Sequence, residues 1–464
     1  MTCQSKEKKS VVIIGAGLAG LVSAYELNKR GIPAIIYEAR DRLGGRIQTQ
    51  HKFNQEGMFC ELGAELVDTA HVALQNLCKE LNLTIEDLEE NEQGIEQFLY
   101  YHEGQTYTQK DILPSYNHFL SLVEQDRAFL YQKERLVEPT FYQTMGAEHW
   151  DNMSLKEYLE RKSTQGVDKW FLELIETAYT GEYGREAEKQ SALNLMLLIG
   201  LKNNRQKVAL FGESDESKRI QGGTSQLVRA LYQALKRKGV RFMLGHKLSA
   251  IHDKDQYVLL TFESQGQMKE IKAGRVICTI PFSVLRNVEG MLKLDLSPIK
   301  KRCIKELSYG NHTKLMVGFR KRVWRNQLKG IRSNGSLFVN KRQCWESSRK
   351  QKGLTGIMTH YLPGTQTLSL ETIGKDWELL CPGMSAYQDG NVVHRSWTSS
   401  DPFSLGSYTS PDVGQYTNII GAQELPELQG RLLFAGEHCD REWQGFMEGA
   451  IRSAQSAVNL LLAS

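Results

Sequence analysis

A run of β-branched residues, Val11-Val12-Ile13-Ile14, passes directly into Gly15-Ala16-Gly17-Leu18-Ala19-Gly20, and this join restricts the fold more than any other stretch. The apolar run reads as a short buried strand, and Leu21-Val22-Ser23-Ala24-Tyr25-Glu26-Leu27 continues as a helix. Gly15 makes the tight turn, Gly17 lets the backbone approach a pyrophosphate, and Gly20 lets helix and strand pack closely. The helix N-terminus then turns N–H groups and a positive dipole end toward the phosphates. Gly31 ends the helix, Pro33-Ala34-Ile35-Ile36-Tyr37 reads as the next strand, and Glu38 stands where a carboxylate would accept hydrogen bonds from a ribose. The glycine pattern alone is weak. Strand, loop, helix, strand and acid in this order point to an α/β dinucleotide-binding unit.

The 464 residues suffice for two or three domains, and 41% hydrophobic with 24% charged residues is ordinary for a soluble globular protein. A net charge of +4 is too small to imply a nucleic-acid partner. No apolar run approaches the roughly 18 residues of a membrane span. Met1 to Ser10 are polar and lysine-rich with no apolar signal core behind them, so a cytoplasmic location is expected. Eight cysteines without a Cys-x-x-Cys pair argue against a disulfide framework and a structural zinc site. His438 and Cys439 are adjacent and cannot easily share one tetrahedral site, so no metal is expected.

Glu38-Ala39-Arg40-Asp41-Arg42-Leu43-Gly44-Gly45-Arg46 combines a tight turn with a fork of donors for phosphate oxygens, and Cys60-Glu61-Leu62-Gly63-Ala64-Glu65-Leu66 offers small residues against which a flat ring can lie. With the glycine loop, these segments resemble the N-terminal signature of the flavin-containing amine oxidases, the group of monoamine, polyamine and L-amino-acid oxidases. The resemblance implies FAD, with Glu38 at the adenosine ribose, Arg46 at the pyrophosphate, Arg40 and Gly45 beside it, and Gly63 and Ala64 close to the isoalloxazine. Gln221-Gly222-Gly223-Thr224 and Arg275-Val276-Ile277-Cys278-Thr279-Ile280-Pro281 restore the pattern later in the chain, and Leu248 matches a position whose backbone meets the adenine.

Between these segments the chain changes character. Helical periods appear at 71–81 and near 114–135, 154–162, 167–179 and 190–200. The acidic run Asp87-Leu88-Glu89-Glu90-Asn91-Glu92 reads as a solvated face without a role. Thr180-Gly181-Glu182-Tyr183-Gly184 interrupts the helical block, either reaching a pocket or simply turning between helices. Residues 320–395 read as a basic, loop-rich insertion carrying scattered surface charge. The fold class implied is α/β with α+β: a discontinuous, Rossmann-like FAD-binding domain (1–75, 218–290 and 396–464) with an inserted substrate domain of mixed sheet and helices (76–217 and 291–395).

The segment Asn311-His312-Thr313-Lys314-Leu315 matches the one carrying the family's active-site lysine, which holds a water against flavin N5 and assists reaction with dioxygen. Taken alone, Lys314 would read as an exposed strand-end charge. Trp397 and Gly406-Ser407-Tyr408, then Gly436-Glu437 and Trp443-Gln444-Gly445-Phe446-Met447-Glu448-Gly449-Ala450, resemble the last two signatures. The resemblance makes Lys314, Trp397, Tyr408 and Phe446 the catalytic candidates. It also sets Gly436, Glu437, Phe446 and Met447 along the flavin, with the final helix turning its N-terminus to the ring edge that gains charge on reduction. Covalent monoamine oxidases carry a cysteine where Ser407 stands, so FAD is expected to be held without that bond. Tyr408 and Phe446 replace a pair of tyrosines, forming an apolar cage that favours a neutral amine.

The substrate pocket includes Glu65 and Leu66, and Glu65 would attract a cationic amine and repel a carboxylate. If the substrate is instead an amino acid, Arg395 or another arginine from elsewhere in the chain would supply the clamp. The reading is therefore an FAD-dependent amine oxidase that yields an imine and hydrogen peroxide. An L-amino-acid oxidase giving a 2-oxo acid is the first alternative and a flavin desaturase the second. Its partners are a small amine or amino acid and dioxygen, with a homodimer permitted.

Overall fold

The computed structural model describes residues 11–90, 92–200, 206–326, 331–364 and 369–463. The polar leader Met1 to Ser10 and Asn91 of the acidic run lie outside the described residues.

Val11–Ile14 is the central strand of a five-stranded parallel sheet. Ala34–Tyr37 pairs on one side and Arg275–Cys278 on the other, with Arg241–Met243 and Leu432–Phe434 at the edges. A parallel sheet is covered on both faces, which is why these strands are continuous apolar runs. Val11 and Ile13 pack with the helices Leu18–Lys29 and Met447–Ala463 through Leu21, Leu27, Ile451 and Val458. Val12, Ile14 and Tyr37 pack on the other face, where Tyr37 stacks on Phe262 at 4.3 Å. Phe262 belongs to an antiparallel meander, Lys247–Asp253, Val258–Ser264 and Gln267–Ala273. Burying each of these aliphatic side chains stabilises the fold by about 1.5–3 kcal/mol.

A second, seven-stranded sheet runs in the order Gln388–Trp397, His312–Phe319, Gly356–Pro363, Arg342–Glu346, Leu337–Val339, Leu99–His102, Gln105–Tyr107. Among the described residues of 320–395, strands and the helix Leu370–Leu380 make up about half, so the expected loop-rich stretch also carries a regular sheet. The alternation was obscured by charge. Leu337, Val339, Cys344 and Met358 pack under Ile373 and Trp377 of that helix, while the basic residues are tied down: Arg342 to Asp376 at 2.7 Å and Arg325 to Glu346 at 2.5 Å. The expected domain boundary at 395/396 falls inside a strand, because Trp397 continues the ladder opposite His312.

The helical block consists mainly of Gln109–Asp126, Leu155–Thr164, Lys169–Tyr183 and Ala192–Leu198. Ser154 and Glu157 form a reciprocal cap that starts the second of these. Thr180 to Tyr183 are the last turn of the third helix, which stops at Gly184 with φ +60°. The acidic run is not wholly solvated, since Glu92 is buried and pairs with Arg325 at 2.9 Å. Among the described residues, no helix is long and apolar enough to cross a membrane.

Candidate active site

One cavity of about 670 Å³ extends from the carboxyl ends of the parallel strands to the cavity-facing side of the seven-stranded sheet. The glycine loop forms its floor. A Cβ on Gly20 would stand 2.0 Å from the Gly15 carbonyl oxygen, so Gly20 serves the helix-on-strand contact and, unlike Gly15 and Gly17, does not line the cavity. A Cβ on Gly17 would meet nothing within 4 Å and would project into open space. The absence of a side chain there is not required by the protein's own packing, and it leaves a cradle that suits a pyrophosphate. Gly17 is also the N-cap and offers no side chain to the first-turn N–H groups. Glu38 accepts hydrogen bonds from the Ala16 N–H at 2.6 Å and the Arg40 N–H at 2.9 Å, which holds its carboxylate at the cavity edge. Leu248 borders the same end.

The two chain ends meet through Arg46. Its Nη1 donates to the Ser407 carbonyl at 2.6 Å and to Glu437 Oε1 at 2.8 Å. Glu437 also accepts from Thr409 Oγ1 and the Gly445 N–H, both at 2.9 Å. Burial would raise its carboxyl, but Arg46 and these donors hold it below the usual range. Arg40 pairs with Asp401 at 2.6 Å. Gly63 lies so close to Arg46 that a Cβ would stand 1.8 Å from its carbonyl oxygen, and Trp397 donates its indole N–H to the Leu62 carbonyl at 2.5 Å. Ala64, Gly45, Gly436 and Met447 complete this part of the wall.

Lys314 lies opposite Tyr361 in the sheet register, and Tyr361 lies opposite Gln343. All three side chains border the cavity. Lys314 is buried, and its Nζ donates to the Gly63 carbonyl and to Glu65 Oε2, both at 2.8 Å. An ammonium has three donors, so one N–H is left for the cavity. Burial would raise Glu65, but Lys314 and the Trp345 indole N–H keep its carboxyl lowered. Glu65 therefore borders the cavity with its charge already matched, which corrects its expected role of drawing in a cation. Arg395 does not line the cavity: it pairs with Asp401 at 2.6 Å and lies 4.1 Å over the Trp397 ring. It is not placed to clamp a substrate carboxylate.

The aromatic wall is larger than the two-ring cage expected. Tyr408 stacks on His312 with centroids 4.9 Å apart, and His312 stacks on Tyr361 at 4.3 Å. Tyr361 donates to the Tyr408 hydroxyl at 3.2 Å, and Tyr408 donates to the Glu182 carbonyl. His312 is pushed down to about 3 by burial, so it is neutral, bonded to Ser407 Oγ and to the Gly181 carbonyl, each at 2.7 Å. Phe446 makes ring contacts with His71 at 5.3 Å and Trp443 at 5.8 Å, and both Tyr408 and Phe446 face the cavity without touching as rings. His312, Gln343, Trp345 and Tyr361 were given no role in the sequence. Strand periodicity was the available signal, since His312 and Lys314, and Gln343 and Trp345, are two residues apart and share a face. Asp68 and Glu216 also border the cavity and had no motif to mark them, whereas Glu182 and Tyr183 bring the segment 180–184 to the pocket, one of its two expected readings. Leu66 lines it as expected.

Comparison with known proteins matches residues 18–462 to the family of flavin-containing amine oxidoreductases. The chain is 27% identical to a flavin-dependent L-tryptophan oxidase of Lentzea aerocolonigenes, over 99% of each chain. It is 25% identical to the flavin-containing amine oxidase B of Sus scrofa, over 98% of this chain and 86% of that one. Among solved structures, a putrescine oxidase bound to putrescine superposes with a TM-score of 0.76 at 20% identity, covering 98% of this chain and 99% of the other. The cyclohexylamine oxidase of Brevibacterium oxydans gives 0.79 at 17% identity, with the same coverage.

Proposed function

The chain belongs to the flavin-containing amine oxidoreductase family and is an FAD-dependent oxidoreductase, and from that premise we propose that it oxidises an amine, with dioxygen as the electron acceptor. The bound flavin would supply the acceptor for a hydride from the carbon next to nitrogen, the amine becoming an imine that water hydrolyses, while dioxygen becomes hydrogen peroxide. A Rossmann-like domain built around Val11–Ile14 would hold the cofactor through Gly17, Glu38, Arg46, Gly63 and Glu437. Ser407 leaves no thiol at the attachment position of the covalent enzymes, so the FAD is held without that bond. Acid precipitation should release it into the supernatant; colour retained in the pellet would contradict this.

The protein's part is to bind, desolvate and orient. Tyr408 and Phe446 line the same cavity as Gly63 and Ala64, and Tyr361 and Trp345 extend the aromatic wall. This enclosure favours the uncharged amine, whose lone pair supports loss of hydride. No separate general base is required. Lys314 has one N–H left over from Gly63 and Glu65, and that donor would hold a water for the reaction with dioxygen.

One observation carries the choice of an amine over an amino acid. On the substrate side, among the described residues, Lys314 is the cavity-lining lysine or arginine, and Glu65 already neutralises it. No free cation is left for a carboxylate. The likeness to a tryptophan oxidase favours amino-acid oxidation as the second reading. Peroxide release measured with cadaverine and tyramine, beside L-lysine and L-tyrosine, separates the two. Turnover of the amines alone supports this account, and turnover of the amino acids alone replaces it with the second.

A further inference from the structure

Phe446 borders the cavity, and the two rings packed against it do not. His71 lies 5.3 Å from Phe446 with ring planes at 59°, and Trp443 lies 5.8 Å from it at 84°. His71 in turn meets Trp443 edge-on at 4.9 Å and 80°. Each ring touches the other two, so the Phe446 ring cannot turn without disturbing both contacts. The His71 ring is itself fixed. The Asp68 N–H donates to His71 Nδ1 at 3.0 Å, so the neutral imidazole carries its hydrogen on Nε2. That nitrogen lies 3.2 Å from Asp68 Oδ2, and its N–H faces the carboxyl. Asp68 is held as well, its Oδ1 accepting the Glu216 N–H at 2.7 Å. Burial pushes His71 down to about 4, against Glu448 and Asp215, which leaves the ring neutral.

The backbones that carry these rings are tied to each other. His71 is the N-cap of the helix Val72–Glu80, which has no side-chain cap and no acid in its first turn. Glu448, at the start of the final helix, supplies the missing acceptor. Its two carboxylate oxygens take the Ala73 N–H at 2.9 Å and the Leu74 N–H at 2.8 Å. Unpaired N–H groups and the positive dipole end of a helix match a buried carboxylate of this kind. Glu448 stands two residues after Phe446, so this cap holds residues 71–74 in register with the cavity-facing ring.

We propose that His71 is a positioning residue for the reaction: its ring, oriented by Asp68 and held in register by Glu448, fixes Phe446 as a wall of the amine's path. This rests on the amine-oxidase reading for the role of Phe446 alone. His71 does not border the cavity, so it acts only through the ring it supports. A Phe446 free to turn would loosen the pose from which hydride leaves, and positioning of that kind is felt in the chemical step more than in binding.

The test is a double-mutant cycle in the holoenzyme, read as the limiting rate of anaerobic flavin reduction by whichever of tyramine and cadaverine it oxidises. His71→Leu should lower that rate by about 2- to 10-fold, the range of an edge-on aromatic contact, while flavin content and the Kd of the amine hold. His71→Phe keeps a ring in place and should recover part of the rate. Phe446→Leu slows reduction by itself, and adding His71→Leu to it should slow it further by less than about twofold. Effects that simply multiply, or no recovery with His71→Phe, would overturn the positioning role. Where His71→Leu gives no folded holoenzyme, Trp443→Leu removes the third ring and takes its place in the same cycle. If neither amine reduces the flavin, the oxidase reading fails and the cycle is read on the visible circular dichroism of the bound FAD, which needs no substrate. There His71→Leu should alter the spectrum of the wild type and leave that of Phe446→Leu as it was. No change in the first, or an equal change in both, would overturn the proposal.

Discussion

Lys314 and Glu65 form a buried ion pair at the centre of the cavity, 5% and 7% exposed. Removing one member of such a pair leaves the other charge in a medium that cannot solvate it, at a cost of about 3–5 kcal/mol. Lys314→Met should therefore lower the unfolding free energy by about that amount, and adding Glu65→Gln should recover most of it, as read by denaturant titration. In the single variant, stopped-flow measurements should find reoxidation by dioxygen slowed more than reduction by amine; equal slowing of both would remove Lys314 from its assigned role. Glu216, at the cavity border, makes a separate prediction. Glu216 has an ordinary value of 4.5 and is pushed up to about 8 in the fold, so between those values the native state binds more protons than the unfolded chain. Stability falls as pH rises through that window, being fully present below 4.5. The melting temperature should decline from pH 5 to about 8, and Glu216→Gln should flatten the decline.

The glycine loop allows two neighbouring glycines to be separated by function. Gly17 has φ −70° and open space at its Cβ position, whereas a Cβ on Gly20 would meet a backbone oxygen at 2.0 Å. Gly17→Ala should fold normally and lose FAD affinity, measured by flavin-to-protein ratio after dialysis; Gly20→Ala should lose melting temperature as well. If both variants fold and bind FAD equally, the loop is not the cofactor cradle. This element was legible because its chemistry is local: strand, turn and helix follow one another within twenty residues. The sheet over 312–397 was legible only around Lys314 and at Trp397. Its strands lie beside partners distant in sequence, Lys314 beside Tyr361 and Arg395, and its surface arginines hide the alternation that Leu337, Val339 and Cys344 carry. Glu182 lies in a segment expected either to reach a pocket or to turn between helices; the helix in fact continues to Tyr183, and both residues border the cavity.

At the scale of the whole molecule, the site exists only where segments far apart in the chain converge. Arg46 holds Glu437, Lys314 holds the Gly63 carbonyl, and Tyr408 holds the Glu182 carbonyl, so both sheets and the helical block each contribute a fixed wall. The signatures near both chain ends announced the cofactor side, while the substrate side comes from segments whose meeting no linear pattern encodes. Its charge is consequently the least foreseeable property of the protein and the one on which substrate choice depends. The most direct measurement is anaerobic bleaching of the bound flavin by matched pairs, tyramine against L-tyrosine and cadaverine against L-lysine. The account predicts bleaching by the amines and an oxidised spectrum with the amino acids. Bleaching by the amino acids alone would contradict it.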